Sequence, residues 1–81
     1  METLRNTPNR VVGTKQVLRG IKAGTLAKVY VAEDTDTFLF QRVVRAAEAA
    51  RVPVQRVPTM KELGQVCGVE TRAAAAGILR S

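Results

Sequence analysis

Short runs of strand-forming residues alternate along this chain with stretches patterned for helix, and that alternation admits few architectures. Residues 10–12 (RVV) make a short strand that ends at Gly13. From Thr14 the pattern turns helical, with Val17, Leu18 and Ile21 on one side. Thr14 is the expected N-cap, and Gly24 stands where a left-handed C-cap residue belongs. Residues 28–32 (KVYVA) are too short for a helix and apolar enough for a buried strand. Asp36 then caps a helix whose apolar stripe is Leu39, Val43, Ala47 and Ala50, broadened by Phe40 and Val44, until Pro53 stops it. Residues 53–57 (PVQRV) read as a strand with proline at its first position, where no ladder donor is lost. Thr59 and Glu62 form a capping box for a helix that runs to Cys67 and closes at Gly68. Residues 73–79 (AAAAGIL) read two ways: alanine favours helix, but small residues also suit a strand squeezed between helices. A helical turn beginning at Thr3 is expected to stop before Pro8.

Strands joined through helices need crossover connections, so the sheet is largely parallel or mixed. If residues 73–79 are a strand, the chain is an α/β protein: a three-layer α/β/α sandwich with a four-stranded mixed sheet. At 81 residues it is expected to be a single domain over 1–81, because smaller pieces would not bury a core of their own. In such sheets the strand-to-helix turns gather at one end, where helix N-termini offer donors to anions. VVGTKQ, residues 11–16, is such a turn. Gly13 there allows either close approach of a ligand or a dihedral that other residues resist.

Charge narrows the partner. The chain carries 13 Lys and Arg against 7 Asp and Glu, a net +6 that favours a polyanion such as nucleic acid. The charge is uneven: residues 1–32 hold six basic groups and one acidic group, whereas the remainder is almost balanced. Lys15, Arg19 and Lys22 share one helix face, and Gln16 joins them at the exposed N-terminal turn. Such a helix start can donate paired hydrogen bonds to guanine edges while its amides approach phosphate. The same spacing also occurs on solvated surface helices.

Other chemistries find little support. The chain has no histidine and one cysteine, Cys67, which excludes a disulfide framework and most zinc or acid–base sites. Cys67 reads as a small buried apolar side chain. The glycines match neither a phosphate loop nor a dinucleotide fingerprint, so no enzyme, no cofactor and no metal are expected. Glu33, Asp34 and Asp36 read as caps and a solvated turn rather than a cation cage. No apolar run reaches the roughly 18 residues of a membrane span, and METLRNTPNR lacks the pattern of a secretory leader. A cytoplasmic monomer with no membrane role is the expectation.

The ordered segments GTKQVLRGIKAG, VYVAEDTD, VPVQRVPTMKELGQVCGVE and AAAAGIL, over roughly residues 10–79, resemble the bacterial branch of the ribosomal protein seven-Ae-like family, whose members bind kink-turn RNA. The resemblance implies the α/β/α sandwich and makes the last segment a strand. It implies a ribonucleoprotein role, with ribosomal RNA or a riboswitch-like RNA as partner, the ribosome included. The family's helix-start motif is Gly, a small residue, Asn, Glu, two variable positions and Lys. Here it is matched by Gly13, Thr14, Lys15, Gln16, Val17, Leu18 and Arg19. In the family that turn enters the major groove at tandem sheared G·A pairs. Lys15 for Asn, Gln16 for Glu and Arg19 for Lys keep donor capacity and remove a negative charge, so base contacts do not carry over unchanged. A second family element is an apolar loop that packs on a flipped-out base, matched here by Gly68, Val69, Glu70, Thr71 and Arg72. Val69 suits the base and Arg72 is expected to add a phosphate contact, although the same five residues also read as an ordinary connector. The resemblance further implies that Glu33 stands beside the binding turn, where its carboxylate could accept from a base amino group. Lys22 is expected to meet phosphate, and Lys61 either meets phosphate or is a solvated helix residue. Two alternatives remain: a general basic RNA or ribosome-surface binder without kink specificity, and a protein-interaction adaptor with no RNA role.

Overall fold

The computed structural model describes residues 10–68 and 72–80. Within them the order is β1 (Arg10–Val12), α1 (Thr14–Ala23), β2 (Leu26–Ala32), α2 (Thr37–Ala49), β3 (Val54–Val57), α3 (Met60–Cys67) and β4 (Ala75–Leu79). The expected turn at Thr3 lies outside the described residues.

The four strands form one sheet in the order β1-β4-β2-β3. β2 and β3 are parallel, and β4 runs antiparallel to both of its neighbours, so the sheet is mixed. The last strand in sequence is thus an interior strand, which explains its small residues. Ala75 packs into the core under α1 and α2, and Ala76 into the core under α3.

Strand alternation makes the layers. In β2, Val29 and Val31 join Val17 and Ile21 of α1 and Val43 and Ala47 of α2 on one face. Tyr30 and Ala32 meet Leu63 and Cys67 of α3 on the other. Helices therefore cover both faces, giving the α/β/α sandwich read from the sequence.

Close approach of α1 to the sheet rests on two glycines. Leu26, fully buried, fills the space beside Gly20 and Gly77: a Cβ on either glycine would fall 2.8 or 2.9 Å from a Leu26 side-chain carbon. A register shift between Leu26 and Lys28 against β4 accompanies this packing.

Helix ends follow the sequence in most places. Gly24 and Gly68 take the left-handed C-cap conformation, with φ of 73° and 75°. α2 differs in detail. Arg51 takes the left-handed position, φ 58°, while the Val52 N–H donates to the Ala47 carbonyl at 2.8 Å. The helix thus ends before Pro53 is reached. Ala50, expected on the apolar stripe, is the exposed C-cap because the chain has already begun to turn.

Candidate nucleic-acid interface

β1, β2 and β3 point the same way and β4 opposes them, so the ends of three strands and the start of the fourth meet at one sheet edge. Backbone hydrogen bonds seam that edge: Gly13 N–H to Ala75 O (2.9 Å), Ala32 N–H to Ala74 O (2.9 Å), Glu33 N–H to Val57 O (2.8 Å) and Ala73 N–H to Met60 O (3.1 Å). All three helices begin here.

Their starts are built differently. At α2 the Asp36 carboxylate accepts from the N–H groups of Phe38 (2.9 Å) and Leu39 (3.3 Å). At α3 the Thr59 hydroxyl accepts from Glu62 N–H at 3.0 Å, and the Asp34 carboxylate accepts from Met60 N–H at 2.7 Å. At α1 no side chain caps the helix and no acidic residue stands in the first turn. The N-cap is Gly13 rather than Thr14, which is the first helical residue. The shift has a backbone cause. Gly13 adopts φ 110° and ψ 146°, a region almost closed to other residues, and so turns the chain from strand to helix in one step. A Cβ there would meet nothing within 4 Å, so the dihedral, not crowding, selects glycine. The dihedral reading of Gly13 is thereby met.

The residues singled out from sequence fall mostly along this edge. Lys15 and Gln16 are exposed in the first turn of α1, and Arg19 is exposed one turn later. Glu33 is exposed just beyond β2, Lys61 is exposed in the first turn of α3, and Arg72 is exposed immediately before Ala73. Lys22 is in the last turn of α1, about 10 Å along the axis from Lys15, and belongs to the far end of the helix. Val69, Glu70 and Thr71 lie outside the described residues.

Two features escaped the sequence reading. Asp34 was expected to serve the turn before Asp36, yet it caps α3, 26 residues away. No local pattern encodes that contact. The second is Phe38, 82% exposed on α2 with Gln41, Arg42 and Arg45 beside it. Its signal was available, since it lies opposite the apolar stripe on the same helical wheel.

Cys67 is buried, as expected. Desolvation raises its thiol pKa above the ordinary value, opposed by the charge of Arg10. Among the described residues no group of three or more His, Cys, Asp or Glu side chains could hold a metal ion, and no helix is long and apolar enough to cross a membrane.

Fold and edge together define a small α/β/α protein whose helix starts converge on one exposed, glycine-turned rim. The chain belongs to the ribosomal protein L7Ae/L30e/S12e/Gadd45 family, which it matches over residues 1–81. It is 49% identical over 70 residues to RNA-binding protein GK0100 of Geobacillus kaustophilus, across 86% of this chain and 85% of that protein. Identity is 47% over 70 residues to RNA-binding protein YbxF of Geobacillus stearothermophilus, with the same shares covered. A 15.5kD RNA binding protein of Giardia lamblia superposes with a TM-score of 0.83 at 23% identity, over 90% of this chain and 62% of its own. A Bacillus halodurans protein of unknown function superposes with a TM-score of 0.85 at 17% identity, over 96% and 78%. At such identities these two structures speak to the fold alone.

Proposed function

We propose that this chain is an RNA-binding protein of ribosomal type, acting as a single cytoplasmic domain, that recognises a kink-turn and holds it bent. The observation that carries the reading is the contrast among the three helix starts. α2 and α3 are closed by Asp36, Thr59 and Asp34, whereas α1 has no side-chain cap and no acid in its first turn. Its positive dipole end is flanked by the exposed donors Lys15 and Gln16. The names of the bacterial relatives support RNA as the partner.

In this reading Gly13 and Thr14 shape the turn, and Lys15, Gln16 and Arg19 donate to the guanine edges that sheared G·A pairs present. Glu33 accepts from a base amino group. Lys61, Arg72 and, farther back, Lys22 meet phosphate, and the segment from Val69 to Thr71 covers the flipped base. The bent RNA offers the G·A edges and the flipped base together, and the extended RNA does not. Binding therefore shifts the population toward the bent form by the difference in contacts.

Titration of a kink-turn RNA, beside a control whose G·A pairs are converted to Watson–Crick pairs, tests this at matched salt. Tighter binding to the first, with its ends drawn together by energy transfer, is expected. Equal binding to both would make the chain a general basic RNA binder, and binding to neither at low salt would favour the adaptor. Arg19→Ala should lose about 1–3 kcal/mol on the kink-turn alone. An equal loss on both RNAs would mark Arg19 as a phosphate contact.

A further inference from the structure

α2 turns an unused face outward. Phe38 is 82% exposed, the one large apolar side chain so exposed among the described residues. It is separated by nine positions from buried Ala47, which puts the two about 180° apart on the helix. Core packing does not account for it. Phe40 supplies the contrast: it packs against the core and carries the Arg56 guanidinium 5.3 Å from its ring centroid. Phe38 instead lines an open depression of about 440 Å³ with Gln41, Arg42 and Arg45. These stand three, four and seven residues after it, on one face.

We infer that this face of α2 binds an unpaired segment of RNA, with a base stacked on Phe38 and the neighbouring phosphates held by Arg42 and Arg45. The chemistry selects this occupant. The stripe holds two guanidiniums and no carboxylate, in a chain of net charge +6. A protein partner of ordinary size covers about 20–30 residues a side, far more than this one ring with its four-residue stripe provides. A single ring flanked by cations matches the stacking platforms of single-strand binders. Arg42 and Arg45, both exposed, lie about 6 and 10 Å along the axis from Phe38, within reach of the phosphates that flank a stacked base. Location agrees as well. Phe38 sits in the first turn of α2, at the rim where all three helices begin.

The inference rests on the reading of the chain as an RNA binder and extends it to a second surface. Anisotropy titrations of the full chain should use four RNAs: a blunt-ended kink-turn, its Watson–Crick control, the kink-turn with a six-nucleotide single-stranded extension, and the six nucleotides alone. The extension is expected to raise affinity about 5- to 100-fold. Phe38→Ala should abolish that gain while leaving blunt RNA and the melting temperature unchanged, and Phe38→Trp should retain it. Arg42→Gln with Arg45→Gln should reduce both the gain and its salt dependence. An extension that adds nothing, or a gain that survives Phe38→Ala, overturns the inference. So does a Phe38→Ala variant that binds every RNA normally but loses an acidic, leucine-containing peptide, which would assign the face to protein. Equal binding to the blunt kink-turn and its control, with the Phe38-dependent gain intact, would sink only the kink-turn reading.

Discussion

The carboxylate of Asp34 accepts a 2.7 Å hydrogen bond from the backbone N–H of Met60, 26 residues further along the chain. One side chain from the β2–α2 connection thereby pins the start of α3 to the sheet edge. Asp34→Ala should cost about 1 kcal/mol, the usual loss for a capping side chain, read as a lower urea midpoint. Asn, which keeps an acceptor, should recover most of it. Amide exchange should quicken in the first turn of α3 and stay unchanged in α2. A uniform change throughout the protein would contradict a local clamp.

At Gly13 the strain argument predicts a different signature. Nothing stands within 4 Å of the missing Cβ, so Gly13→Ala introduces no clash, only an unfavourable dihedral at φ 110°. The expected loss is about 1–3 kcal/mol, measured by denaturant titration. An unbranched residue such as Gly13→Met should cost little beyond the alanine, since nothing stands near the new Cβ, whereas a β-branched residue would add backbone strain of its own at this φ. A loss that climbs steeply with side-chain size would show crowding instead.

Gly20 should respond in the opposite manner. In an exposed helix interior, glycine to alanine gains up to about 1 kcal/mol. Here the new methyl would lie 2.8 Å from Leu26 Cγ, the branch point of a fully buried side chain rather than a flexible tip, so relief requires the packing around Leu26 to shift. Gly20→Ala is therefore expected to destabilise by about 1–3 kcal/mol. Leu26→Val in the Gly20→Ala background should restore part of that, and strict additivity of the two changes would refute the contact.

Cys67 predicts a pH dependence. Burial holds its thiol pKa above the ordinary 9.0, with Arg10 opposing. The folded chain therefore keeps a proton that the unfolded chain releases. Its contribution to stability is complete below about pH 9 and is lost as the pH rises through the folded pKa. Wild-type stability should fall on the alkaline side, and Cys67→Ala should flatten that fall. Identical slopes in the two proteins would remove Cys67 as the source.

Local chemistry made much of this molecule legible in advance. The switch between a period of two and one of 3.6, the caps Asp36 and Thr59, and the closing glycines Gly24 and Gly68 act within a few residues, so they can be read in order along the chain. The helix start after Gly13 was legible for the same reason, apart from a one-residue shift of the cap. Residues 73–79 were not: their composition suits either helix or strand until neighbours are supplied.

By itself, then, the sequence determined the elements before residue 73, the two apolar faces and the concentration of positive charge near α1. Tertiary structure decided what depends on distant partners. It set β4 between β1 and β2, where alanines and Gly77 fit between helices, and it turned Asp34 from a presumed neighbour of Asp36 into the cap of α3. The physical reason is common to both. Periodicity and capping are properties of contiguous backbone, whereas burial and long-range hydrogen bonds exist only after the strands have chosen their order.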